Sequence, residues 1–211
     1  MKNHGVVISL LLALWTGCVG ANDTDQPQEL VRNTAEYVLS EVRAHKAELE
    51  KDNSGIYRLV YEKVIPHFDF RRMTRSALGR YWRRATEEQR RRLTREFREL
   101  LVRTYAVMLL SYSDERIEYL PFRGRPGDKR VVVRTKVFTQ DGAPPVPIDY
   151  RLHRKNGEWK VYDVVVDGVS LVSNYRGTFA SEVRKGGIEG LIASLEKHNR
   201  ELSGNRERGD G

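Results

Sequence analysis

The sequence predicts an α+β fold in which helices pack on one face of a curved four-stranded antiparallel sheet, with a helical N-terminal region ahead of it. Three observations predict it. Apolar residues recur at helical spacing from Pro27 to about Ser113, the period changes to alternation between residues 115 and 167, and a helical stripe returns after Gly168. With 211 residues, 39% hydrophobic and 31% charged, the chain is long enough for one such domain and too apolar for a disordered one.

Each element follows from local chemistry. Leu30, Val31, Val38, Leu39, Val42 and Leu49 form one stripe, which predicts a single long helix from Pro27 to Leu49. Asn53-Ser54-Gly55 opens a second helix with Ile56, Leu59, Val60 and Val64 on its apolar side, and Pro66, lacking an N–H, ends it. Asp69 caps a short third helix carrying Met73, Ala77, Leu78 and Tyr81. Thr86 with Gln89 three residues on is a capping box, and it opens the longest helix, running to about Ser113 through Leu93, Phe97, Leu100 and Leu101.

Beyond Ser113, turn residues at 124–128, at 141–145 and at Asn156-Gly157 divide the chain into strands near 115–122, 129–139, 146–154 and 158–167. Val131, Val133, Thr135 and Val137 alternate with Val132, Arg134, Lys136 and Phe138. Val146, Ile148, Tyr150 and Leu152 oppose Asp149, Arg151 and His153, so one face is apolar and the other wet. Val169, Val172, Tyr175, Phe179 and Val183 then restore a helical stripe, and a last short helix follows Gly186-Gly187. No internal repeat is present.

The ends of the chain bear on compartment. Lys2, an apolar run from Val6 to Leu14 and small residues up to Ala21 have the layout of a secretory signal peptide over residues 1–21. Thr16-Gly17-Cys18 is the competing lipoprotein reading, with Trp15 where such sites usually carry Leu. Cleavage after Ala21 leaves a single domain at 22–202, mainly helical over 22–113, a sheet over 114–168 and helices over 169–202, with a flexible tail at 203–211. Such a mature chain has no cysteine, which excludes disulfides, zinc–thiolate sites and cysteine nucleophiles. After the leader no apolar run approaches about 20 residues, so stable membrane insertion is not expected.

Charge is concentrated. Twelve arginines and four acids lie between Arg71 and Arg103, a surplus of eight that equals the formal charge of the whole chain, +8. One reading is a basic adaptor for polyanions. The plainer one is solvated helix faces, with Arg92 and Glu96 or Arg95 and Glu99 at pairing distance. Export argues against nucleic acid as the partner.

The familiar catalytic and metal-binding spacings are absent, and His45, His67, His153 and His198 are scattered over separate segments. Asp163, inside an apolar strand, is the one candidate for a buried acid of an enzyme on this fold acting on a small apolar molecule; Asp167 before Gly168 is a turn residue. The balance is against an enzyme, a metal site or a cofactor.

Three stretches together resemble one family. They are Val64-Ile65-Pro66-His67-Phe68-Asp69-Phe70 with Met73, Ala77, Leu78, Gly79, Tyr81, Trp82, Ala85, Thr86 and Gln89; Phe97 with Leu100-Leu101 and Thr104-Tyr105; and 159–164 with 167–176 and Phe179. Their order and spacing, over about Leu30 to Leu195, resemble the MlaC or toluene-tolerance proteins of bacterial lipid-transport ABC systems. The resemblance implies a sheet like that of nuclear transport factor 2 wrapped by helices, and a soluble periplasmic carrier with phospholipid as its cargo. It further implies exchange with an inner-membrane Mla ABC transporter and an outer-membrane lipoprotein–porin complex, which maintains outer-membrane lipid asymmetry. The arginine density of the third and fourth helices departs from the family pattern.

A carrier is physically necessary for such cargo. Two acyl chains of about 14 buried methylenes each, at about 0.8 kcal/mol apiece, hold on the order of 20 kcal/mol of transfer free energy. The expected lining is the apolar sheet face, with Val133, Thr135, Val137, Val146, Ile148, Tyr150, Trp159, Val161 and Val165. Tyr105, Met108, Leu109, Val169, Val172, Tyr175 and Phe179 are expected to cover it. The same residues would equally fill a closed core.

Overall fold

The computed structural model describes residues 26–111, 115–140 and 142–207. The signal-peptide region, Cys18 and residues 208–211 lie outside them. In chain order the elements are α1 (Gln26–Ala44), α2 (Lys46–Lys51), α3 (Ser54–Lys63), a 3₁₀ turn (Ile65–His67), α4 (Phe70–Leu78), a 3₁₀ segment (Gly79–Arg84), α5 (Glu87–Tyr105) and α6 (Met108–Ser111). Strands β1 (Arg116–Tyr119), β2 (Arg130–Phe138), β3 (Val146–Lys155), β4 (Glu158–Val166) and β5 (Val169–Ser170) follow, and α7 (Leu171–Glu207) closes the chain. No described helix is long and apolar enough to cross a membrane.

The helix starts are made as their chemistry dictates. Asp69 accepts from the Arg72 N–H at 3.1 Å, and the Thr86 and Gln89 side chains exchange bonds with each other's backbone. At α3 the acceptor is Asp52, one residue ahead of the predicted cap, which takes the Ser54 N–H at 2.8 Å. Two long helices expected from periodicity are broken. The first interrupts at His45, whose backbone (φ −119, ψ 18) is not helical. The other ends at Tyr105, where Leu109 and Leu110 donate to carbonyls three residues back before α6 begins. In α7 the helical geometry lapses at Gly186 and Gly187, the latter at φ +67, which separates two helices as expected; the second continues to Glu207, past the predicted end of the domain.

The sheet is an antiparallel meander in the order β1-β2-β3-β4-β5. Asn156-Gly157 and Asp167-Gly168 both carry positive φ at two successive residues, the type I′ geometry that suits two-residue hairpins. The second of these hairpins adds a fifth strand. Val169 thus lies in β5, paired with Val166, and not on the helical stripe predicted for it. A bulge lies where Arg151 pairs with Asp163 but Leu152 pairs with Val161, leaving Tyr162 as the extra residue of β4.

The face opposite the apolar one is not wet throughout. His153, expected on the solvated side, is buried against α4 by a polar cluster. Its Nε2 lies 3.1 Å from Asp69 Oδ2, and Arg72 Nη1 lies 3.2 Å from its Nδ1. A guanidinium can only donate, so Nδ1 accepts and Nε2 carries the proton that goes to Asp69. Burial and then the Arg72 charge hold the imidazole below its ordinary pKa, consistent with this neutral tautomer. Lys155 closes the cluster at 3.1 Å from the same carboxylate oxygen.

Candidate functional site

Register assembles the predicted sheet face. Val133 opposes Tyr150, Thr135 opposes Ile148 and Val137 opposes Val146, and these pairs share one side with Leu152 and Val161. Trp159, two residues before Val161, shares that side. Val165 does not. The bulge at Tyr162 advances the alternation by one residue, so Val164 and Val166 stand opposite Tyr150 and Ile148, while Val165 pairs with Asp149 and Ser170 on the other face. Ile117 and Tyr119 of β1, opposite Val137 and Thr135, extend the apolar face by residues absent from the expected set.

Among the described residues the buried apolar side chains form three clusters instead of one continuous core. The first joins α4, α5 and α7: Phe97, Tyr175 and Phe179 interlock with ring centroids 5.1 to 5.7 Å apart, and Val172 packs with them. A second joins α1, α2, α3 and the α5–α6 corner. The third is the β2–β4 floor of Val133, Leu152, Trp159 and Val161 against Val31 of α1. Helix α5 packs on α7 and α4 in preference to the sheet.

Between the clusters the predicted lining is only half-buried. Val137, Val146, Ile148 and Tyr150 on the sheet, Leu109 on α6 and Tyr175 on α7 all keep accessible surface, whereas Tyr105, Met108 and Val169 are 38%, 47% and 61% exposed. Tyr150 is the informative residue. Burial alone pushes its phenol up to about 12, yet part of the side chain is still accessible. Tyr119 beside it is also raised to about 12, by burial first and then by Tyr150 and Glu36 against the opposing Arg32, whose guanidinium sits 4.1 Å from its ring centre. Its hydroxyl is buried with no partner among the described residues. Burial, followed by Tyr105, likewise raises Tyr175.

The expected set therefore divides. Val133, Thr135, Trp159, Val161, Val172 and Phe179 are buried; Val137, Val146, Ile148, Tyr150, Leu109 and Tyr175 are half-buried; Tyr105, Met108 and Val169 are at the surface. Alternation along β1 carried the signal for Ile117 and Tyr119. Nothing local marks the bulge that exchanges Val165 for its neighbours.

A family model for the MlaC protein matches residues 32–197. The chain belongs to the MlaC family. It is 25% identical over 199 residues to the intermembrane phospholipid transport system binding protein MlaC of Haemophilus influenzae, spanning 93% of both chains. It is 30% identical over 162 residues to the toluene tolerance protein ttg2D of Pseudomonas putida, across 76% of this chain and 74% of that one. A solved structure of the phospholipid-binding protein from Ralstonia solanacearum, in complex with a phospholipid, superposes with a TM-score of 0.76 at 34% sequence identity, covering 83% of this chain and 98% of the other.

Asp163 has a structural task in this MlaC-family chain. Its carboxylate accepts from Arg151 at 3.0 Å, the Ser170 hydroxyl at 2.7 Å and the Val172 N–H at 3.2 Å, which ties β5 and the start of α7 to β4. It is buried as expected, but it lies with Val165 on the sheet face away from Tyr150. Among the described residues no group of His, Cys, Asp and Glu side chains is arranged to hold a metal ion. Much of the basic surface is internally neutralised: Arg71 pairs with Glu87, and Arg92 bridges Glu189 and Glu196 at 2.9 and 3.0 Å.

Proposed function

We propose that this protein is a phospholipid carrier that holds acyl chains in the gap between the apolar sheet face and the covering helices. The observation that carries the reading is the half-buried apolar face of Val137, Val146, Ile148 and Tyr150, in a fold matched by a phospholipid-bound relative. Val137, Val146, Ile148, Val164 and Leu109 supply the apolar walls, and Tyr105, Met108 and Val169 form the rim. Packed side chains such as Phe179 and Val172 hold the helices in place without touching cargo. The phenols of Tyr119 and Tyr150 are donors for glycerol ester oxygens, which leaves the phosphate outside, where its hydration is kept.

The protein works in the periplasm after removal of residues 1–21. It shuttles lipid between the outer membrane and an inner-membrane ABC transporter, and so sustains outer-membrane asymmetry. Its partners are that transporter and an outer-membrane lipoprotein–porin complex, which must open the gap, because spontaneous release exposes both chains to water at a cost on the order of 20 kcal/mol. No chemical step is required. Organic extraction of freshly purified protein followed by mass spectrometry is the test: near one phospholipid per chain is expected, and protein that is consistently lipid-free across preparations contradicts the reading.

A further inference from the structure

The arginines between Arg71 and Arg103 are unevenly neutralised. Along α5, Arg95 meets Glu96, Arg98 meets Glu99 and Arg92 meets two glutamates of α7. The exception is the 3₁₀ segment between α4 and α5. Gly79, at φ +54, turns the chain out of α4 in a conformation that a side chain would strain. The turn that follows buries Tyr81 and Trp82 and leaves Arg80, Arg83 and Arg84 exposed.

Three guanidinium groups converge on Tyr81. Its ring is packed in the helical core at 5% exposure, while its hydroxyl receives a hydrogen bond from Arg80 Nη2 at 3.1 Å. The Arg80 and Arg84 guanidinium carbons lie 5.0 and 5.8 Å from the ring centre, and Arg184 of α7 reaches the same hydroxyl. None of the three pairs with a carboxylate among the described residues. Like charges this close repel, and burial of the Tyr81 ring is what holds them together. Next to Arg84 lies a cleft of about 470 Å³, also bordered by Thr86, Gln89 and the Gly186–Gly187 break. Its one acid, Glu189, is engaged by Gln89 and Arg92, each at 2.9 Å.

We propose that Arg80, Arg84, Arg184 and the Tyr81 hydroxyl form a binding site for a phosphate group, supplied by a free phosphate or by a lipid head group at a membrane surface. Guanidinium donors match phosphate oxygens in charge and geometry, and the phenol adds a fourth donor. The site is not the cargo gap: the 19 residues of α5 separate Glu87 from Tyr105 by about 27 Å. It does not depend on the carrier reading, since a lipid-free protein would still have it.

The test titrates the full chain with inorganic phosphate by heteronuclear NMR and sediments it with vesicles of phosphatidylglycerol or of phosphatidylcholine. Wild type should show saturable millimolar shifts centred on Tyr81, Arg84 and Arg184. Each of R80Q, R84Q and R184Q should weaken binding about tenfold. Co-sedimentation with phosphatidylglycerol alone, lost in the triple variant and at high salt, identifies the head group as the source; shifts without co-sedimentation identify free phosphate. Equal behaviour of wild type and triple variant in both arms, or no saturable response in either, overturns the site. Because the three arginines are exposed, circular dichroism and copurifying lipid should be unchanged in the variants, which separates loss of the site from loss of the fold.

Discussion

The helical bundle of α4, α5 and α7 and the apolar face of the sheet draw on similar side chains and end in opposite states. In the bundle, Phe97 and Phe179 are 0% and 1% exposed, and their rings meet edge to face. On the sheet, Ile148, Val146 and Val137 point to the same side and remain half-buried. The difference lies in what covers them. Helix α5 is committed to α7, so it does not cover the sheet, and side chains at one end of the face are met by α1 instead. Apolar composition sets what is available for burial; the arrangement of covering helices decides where the core is solid.

The largest effect should come from the filled side. Phe97→Ala removes the ring that Tyr175 and Phe179 both contact, and should cost about 3–5 kcal/mol in urea or thermal unfolding. A loss under about 1 kcal/mol would show that the bundle is not the stabilising half.

A smaller effect separates the two faces of the sheet by pH. His153 is held below its ordinary value of 6.5 by burial first, so the unfolded chain binds more protons in the window between the folded value and 6.5. Its contribution is fully present above that window and is lost as pH falls through it. His67, lowered for the same first reason, acts in the same sense. Asp69 is held below 3.8 by the Arg72 N–H, Lys155 and His153 against the opposing effect of burial, and its contribution disappears only as pH drops below 3.8. Unfolding midpoints measured from pH 7 downward should therefore decline first below 6.5, and His153→Gln should reduce that early decline. An identical profile in the variant would contradict the assignment of the neutral imidazole.

What was legible in the sequence was what adjacent residues decide. The Thr86–Gln89 box, the Asp69 cap, the Asn156-Gly157 turn and the Gly186–Gly187 break each depend on chemistry within a few positions. The alternation of β2 and β3 likewise placed Val133, Ile148 and Tyr150 on one face. The bulge at Tyr162 had no such marker, because neither glycine nor proline is near it, and one extra residue sent Val165 across the sheet. The break at His45 lies in a stripe that periodicity alone carries through. His153 could not be seen as buried, since its partner Asp69 is 84 residues away. How the face is covered depends on where α5 packs, which is a property of the whole fold.

The smallest expected change in stability gives the most direct test. Ile148→Trp places a large side chain on the half-buried sheet face beside Tyr150. A solid interior has no room for it, and overpacking should then cost about 1–3 kcal/mol. Thermal unfolding and native mass spectrometry on the same samples resolve the question. An open gap predicts a melting temperature near wild type together with loss of the bound phospholipid; a destabilised protein that retains its full lipid complement would contradict it.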